Sequence, residues 1–177
     1  MKKTTVFLTG GTGNMGWAGF QELYKRKERF NIRLLARDSK KNHKMLDKYA
    51  DDPSVAVIWG DLTRYEDVLA GVTGSDYVLH VGGMVSPAAD YYPEKTLKVN
   101  VLAAENVVKA VQAQTNSDDI KVVYIGSVAQ YGDRNPPYHW GDVNEPQTPA
   151  KFDMYALSKI RSEEIFAKAG FRNWVSL

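Results

Sequence analysis

The chain is punctuated by short runs of β-branched, aliphatic and aromatic residues: Thr4 to Thr9, Ile32 to Ala36, Val55 to Trp59, Tyr77 to Val81, Lys121 to Ile125 and Trp174 to Leu177. Between them lie longer segments in which apolar residues return every three or four positions. The clearest is Lys95 to Gln114, where Leu97, Val101, Ala104, Val108 and Val111 form one stripe, followed by Phe152 to Ala169. Strand-length runs alternating with helix-period segments predict repeated strand-helix units. The expected fold class is therefore α/β, a doubly wound parallel sheet in a three-layer α/β/α arrangement. Two irregular stretches, Gly82 to Pro93 and Val128 to Lys151, follow strand ends. The second holds Pro136, Pro137, Pro146 and Pro149 of the seven prolines. Ligands of open α/β sheets bind beyond the carboxyl ends of the strands, so both stretches are expected to border a site.

Composition narrows the chemistry. A chain of 177 residues with 44% hydrophobic and 25% charged residues is expected to form one globular domain. Lys and Arg number 23 against 21 Asp and Glu, and this interspersed balance points to no nucleic-acid partner. The absence of cysteine removes disulfides, thiolate nucleophiles and Cys-ligated metals. His43, His80 and His139 are widely separated, so no metal site is expected. The apolar run Val6-Phe7-Leu8 is too short for a signal-peptide core, and no stretch approaches the roughly 18 apolar residues of a membrane span. A cytoplasmic protein with no membrane partner is the expectation.

Directly after the first strand run stands Thr9-Gly10-Gly11-Thr12-Gly13-Asn14-Met15-Gly16, and a helical segment through Phe20, Leu23 and Tyr24 follows. Glycines here permit a tight turn and a close backbone approach, while free N–H groups at a helix start attract phosphate. Gly10, Gly13, Asn14, Met15 and Gly16 are therefore candidate contacts to a dinucleotide pyrophosphate. No Gly-Lys-Ser/Thr ends the motif, which disfavours a nucleoside triphosphatase. The second strand run ends in Arg37-Asp38. A carboxylate at this place reads the ribose hydroxyls of NAD, and an arginine pairs with the extra phosphate of NADP. Arg37 comes first, so NADP is favoured over NAD. From the residues alone, a ligand-free glycine corner and a merely solvated Arg37 remain alternatives.

Two Tyr-x-x-x-Lys pairs occur. Tyr91 and Lys95 have Pro93 between them and cannot share a helix interior. Tyr155 and Lys159 lie in an uninterrupted helical pattern, one turn apart on one face. A lysine ammonium beside a tyrosine favours the phenolate, which brings a group of pKa near 10 toward the range useful for acid/base catalysis. The fifth strand run delivers Ser127 at its end. Glycine turn, strand-end serine and helical Tyr/Lys, in this order, resemble the extended short-chain dehydrogenase/reductase family. That is the NAD(P)-dependent epimerase/dehydratase superfamily, built on a Rossmann fold, and the resemblance runs from Thr4 to Leu177. Gly60-Asp61-Leu62 is similar to the family's adenine-contacting segment, and Val99-Asn100-Val101 with Glu105-Asn106-Val107 to its VNVxGTxN helix, with Ala103 and Ala104 in place of Gly and Thr. Asp76 to His80 followed by Val81-Gly82-Gly83 resembles its DxVxHxAA segment, with glycines in place of alanines. Gly126 stands where a serine is common.

The resemblance implies that Asp61, Leu62, Gly82, Gly83 and Asn100 join the cofactor site. It implies that Tyr155 moves a proton to or from a substrate oxygen, that Lys159 binds the nicotinamide ribose and tunes Tyr155, and that Ser127 hydrogen-bonds the same oxygen. Hydride would move at a carbinol or carbonyl of a sugar nucleotide or small carbonyl substrate, with reduction, epimerisation and dehydration all open. His80 is expected to be structural. Relatives continue past the Tyr/Lys helix into a substrate lobe. Residues 1–177 are therefore expected to be one NAD(P)-binding Rossmann domain, truncated before that lobe or unusually short. A homodimer through the Lys95–Gln114 and Phe152–Ala169 helices is expected, as in relatives. The alternative is a non-catalytic redox sensor or interaction module.

Overall fold

The computed structural model describes residues 2–134, 137 and 141–177. Pro136 and His139, singled out above, lie outside the described residues. In chain order the elements are β1 (Thr4–Thr9), α1 (Asn14–Tyr24), β2 (Phe30–Ala36), α2 (Lys40–Leu46), β3 (Val55–Trp59), α3 (Tyr65–Val72) and β4 (Tyr77–His80). They continue with α4 (Ala88–Tyr91), α5 (Pro93–Gln112), β5 (Lys121–Tyr124), α6 (Met154–Lys168) and β6 (Trp174–Ser176). The strands form a six-stranded sheet in the order β3-β2-β1-β4-β5-β6, and every neighbouring pair is parallel. The expected doubly wound α/β/α architecture is the one observed.

Alternation along the strands divides the core. Phe7 of β1, Leu35 of β2, Val78 of β4 and Val122 and Tyr124 of β5 face one side, against Val68 and Val72 of α3, Val107 and Val111 of α5 and Phe166 of α6. Leu8, Ile32, Leu34 and Ala36 face the other side, against Phe20 of α1 and Leu46 of α2. With both faces covered, the central strands read as continuous apolar runs rather than alternating ones. Phe7, Phe20 and Phe166 are fully buried, and truncating any of them to alanine costs about 3–5 kcal/mol.

Element boundaries differ from expectation for local reasons. β2 begins at Phe30 because Phe30 pairs with Thr4. α5 begins at Pro93 rather than Lys95, since a proline fits the first helical turn, where no N–H is needed. α6 begins at Met154 because Phe152 sits at φ 68°, outside helical space, and Asp153 caps the helix by accepting from the Ala156 N–H. The strand runs expected to end at Val81, Ile125 and Leu177 each stop one residue earlier. Among the described residues, no helix is long and apolar enough to cross a membrane.

Candidate active site

Because all strands run the same way, their carboxyl ends share one edge, and the chain moves outward in opposite directions from β1 and β4. The crevice between these two strand ends is where ligands of such sheets sit. Gly10 follows β1 at φ 70°, a left-handed conformation that costs other L-residues energy. A Cβ there would lie 2.6 Å from the Gly82 Cα, and one on Gly16 would lie 2.0 Å from the Gly10 carbonyl oxygen. Gly82 has no room either: its Cβ would lie 2.6 Å from the Leu62 Cδ1. The cradle thus exists only because side chains are missing from it. Gly13 precedes α1 with no side-chain cap, so the first helical N–H groups face the crevice with their partial positive charge. Gly13, Asn14 and Met15 are exposed there and Gly16 is buried. These residues fit a pyrophosphate.

The β4 side is tied down by polar bonds. The Gly82 N–H donates to the Thr9 Oγ1 at 2.9 Å, which lies 3.0 Å from the His80 Nδ1. Burial, helped by the Lys159 cation, pushes His80 down to about 3, so it is neutral and structural. Asn100 of α5 is buried. Its Oδ1 accepts from the Met84 N–H at 2.7 Å, and its Nδ2 donates to the Met84 carbonyl at 3.0 Å and the Ser158 Oγ at 2.8 Å. Its amide braces the Gly82-Gly83-Met84 turn against α6, and a Cβ on Gly83 would lie 3.0 Å from its Oδ1.

At the end of β2, the Asp38 carboxylate is held by the His43 Nε2 at 2.8 Å, and the His43 ring stacks on Trp59 with centroids 3.8 Å apart. Arg37 is exposed, and its backbone carbonyl is fixed by the Asn42 Nδ2 at 2.7 Å. Beside it, burial opposes ionisation of Asp61. Hydrogen bonds from the Thr63 N–H and hydroxyl, with the nearby Arg37 and Arg64 cations, outweigh that opposition and hold the carboxyl below its usual value. The Leu62 carbonyl accepts from the Asn106 Nδ2 at 2.8 Å.

At the end of β5, Ser127 caps a short 3₁₀ turn, Val128–Tyr131, in a capping box with Gln130. Its hydroxyl accepts from the Ala129 N–H, and its own N–H donates to the Gln130 Oε1 at 2.7 Å. Tyr155 and Lys159 lie one turn apart on α6, with Tyr155 half-buried. Lys159 is only 8% exposed; its Nζ donates to the Ile125 carbonyl and lies 4.6 Å from the Tyr124 ring centroid. The Tyr124 hydroxyl donates to the Lys159 carbonyl at 3.1 Å, locking α6 onto β5. Burial lowers the Lys159 ammonium to about 8, partly opposed by Glu163. Lys159 thus reaches the same strand end that presents Ser127.

A cleft of about 600 Å³ lies at the opposite, amino-terminal edge of the sheet, bordered by Lys3, Tyr24, Lys27, Lys48 and Asp52. Lys27 and Tyr24 both bond Asp52 there, and Lys3 bonds Ser54. Sequence reading missed Gln130, Ser158 and Glu163 as parts of the carboxyl edge, and gave Asn106 no role beyond its place in the VNVxGTxN-like helix. Of the three missed residues, Gln130 carried a signal, as the last residue of the capping pattern Ser-x-x-Gln.

The parallel sheet, the glycine cradle at its central crossover and the polar groups along that edge define an NAD-binding α/β domain of the Rossmann kind. The chain belongs to the NAD dependent epimerase/dehydratase family, whose sequence model matches residues 6–173. Over 110 residues it is 33% identical to the UDP-glucose 4-epimerase of Rickettsia bellii (strain RML369-C), a match covering 60% of this chain and 32% of that protein. The fold is that of the Bordetella bronchiseptica enzyme WbmH in complex with NAD+, with TM-score 0.79 and 21% identity over 99% of this chain and 55% of that one. It is also that of the Thermus thermophilus UDP-glucose 4-epimerase complex with NAD, with TM-score 0.76 and 23% identity over 98% and 54%. The chain therefore spans about half the length of these solved structures.

Proposed function

We propose that residues 1–177 are one NAD(P)-binding domain of an enzyme that moves hydride at a carbinol or carbonyl carbon of a sugar nucleotide, with Tyr155 as the acid/base. The observation that carries this reading is the meeting of Lys159 and the Ser127 turn at the end of β5, on the same edge as the glycine cradle. The bound cofactor supplies the hydride acceptor or donor. In the oxidising direction, the Tyr155 phenolate takes the proton of the substrate hydroxyl as the carbon gives up hydride, and a C=O bond forms. In the reducing direction, the Tyr155 hydroxyl returns a proton to the oxygen. The Ser127 hydroxyl hydrogen-bonds that oxygen without giving up its proton, and Lys159 favours the phenolate and holds the nicotinamide ribose. The test is Tyr155→Phe, which keeps the ring and removes the proton. Undiminished hydride transfer by this variant would reassign the acid/base role.

The finer cofactor reading is a preference for NADP(H). Asp38 is occupied by His43, while Arg37 stands free of the strand beside Asp61. An arginine contact to a phosphate contributes about 1.5–3 kcal/mol, roughly a 10- to 150-fold preference, and equal calorimetric affinities for NADPH and NADH would refute it. The pairing surface for a second copy is the groove of α5 and α6 formed by Leu97, Val101, Leu102 and Arg161. Light scattering that shows a monomer would remove that part of the proposal.

A further inference from the structure

One carboxylate outside the Ser127, Tyr155, Lys159 set joins the parts of this edge. Glu163 lies one turn beyond Lys159 on α6. Its Oε2 accepts from the Gln130 Nε2 at 2.5 Å and from the Gln147 Nε2 at 2.6 Å. Gln130 is buried, and its Oε1 accepts the Ser127 N–H. A Cβ on Gly126 would lie 2.8 Å from that Oε1, so the backbone beside Ser127 is also fitted to the Gln130 amide. Gln147 lies 17 residues beyond Gln130 in sequence. A single oxygen therefore ties these two amides to the helix carrying Tyr155 and Lys159. An amide pair on a half-buried carboxylate oxygen is a strong arrangement, because each bond is charge-assisted.

We infer that Glu163 is the positioning residue of the site, holding Ser127 in register with Tyr155 and Lys159 through Gln130 and anchoring Gln147 to the same helix. It touches no reacting atom. Its negative charge has a second effect, since it opposes the loss of the Lys159 proton that burial promotes. The other titratable groups around Lys159 are His80 from β4, Tyr124 from β5 and Tyr155 from its own helix. The inference rests on the reading of Ser127, Tyr155 and Lys159 given above, but its test needs no turnover.

The test compares the parent chain with Glu163→Gln and Gln147→Ala by amide hydrogen exchange and by carbon-13 NMR titration of the Lys159 side chain. In Glu163→Gln, exchange at the Ser127 amide should quicken about tenfold while the amides of β1 and β4 stay as protected as before. The Lys159 midpoint should fall, with proton affinity about threefold to tenfold weaker. Gln147→Ala keeps the charge and should quicken Ser127 exchange by a smaller factor without lowering the Lys159 midpoint. Unchanged Ser127 exchange and an unmoved Lys159 midpoint would overturn the assignment, and so would exchange quickened equally across all six strands. If Glu163→Gln fails to fold, Gln147→Ala decides alone: local acceleration at Ser127 supports the staple, and none overturns it. A failure of Tyr155→Phe to reduce turnover would strike the proposed reaction and leave these readouts intact, so the two readings fall separately.

Discussion

The two halves of the carboxyl edge are built by opposite means. Around Gly10, Gly16 and Gly82, the surface is made by omission, with backbone meeting backbone where any Cβ would collide. Around Ser127 and Lys159, it is made by addition: Gln130, Glu163, Tyr124 and Lys159 fill the space and satisfy one another's polar atoms. The first half is set mainly by backbone contact, and the second mainly by hydrogen bonds and charge.

The largest effect that would separate the halves is chemical. Tyr155→Phe should lower hydride transfer by about 10²–10⁴-fold and leave cofactor affinity within about threefold of the parent, read by stopped-flow and by calorimetry. A parallel loss of cofactor binding would mean that the halves are not separable. Gly82→Ala attacks the other half. Its Cβ meets Leu62 and the Gly10 N–H, so cofactor binding should weaken at least about 30-fold and the fold should lose about 1–3 kcal/mol, measured by titration and urea unfolding. Normal cofactor affinity in Gly82→Ala would show that the cradle yields. Arg37→Asp sits at the rim of the cradle and should remove or reverse the roughly 10- to 150-fold NADPH preference, with unfolding unchanged.

The smallest effect sharpens the contrast in pH response. Lys159 titrates near 8 in the fold against an ordinary 10.5. Below pH 8 both folded and unfolded chains keep the proton, and the fold carries the full cost of burying the cation. Between pH 8 and 10.5 the folded chain has shed a proton that the unfolded chain retains, so stability rises with pH. Relative to Lys159→Met, the parent should gain about 1–3 kcal/mol across that window in urea unfolding. Parallel stability curves for the two proteins would place the Lys159 charge in water.

The same contrast explains what could be read from the sequence. The glycine cradle was legible because omission leaves a mark: glycines at fixed spacing between a strand run and a helix run have few other uses. The parallel sheet was legible because its strands are buried on both faces and stand out as apolar runs. The polar braces were not, since Asn100, Asn106 and Glu163 are ordinary residues on amphipathic helices, and only tertiary packing decides which of them turn inward. Asn100 illustrates this: nothing in its motif signalled that its amide would bond Met84 and Ser158. The start of α6 escaped for a backbone reason, the left-handed Phe152, which is 86% exposed and leaves no apolar signature of a stop.

The bond from the Gly82 N–H to Thr9 spans 73 positions of chain, and Gly10 and Gly82 touch across the middle of the sheet. The cradle therefore cannot assemble within the first strand-helix-strand unit. It must wait for β4 to travel past β2 and β3 and zip onto β1, a closure that carries the loop entropy of the whole first half of the chain. The pyrophosphate contacts are thus late events of folding, completed at the central seam. A dinucleotide that grips both sides of that seam would act as a cross-link, slowing the unzipping of β1 from β4 and so lengthening the lifetime of the folded chain more than it speeds its formation.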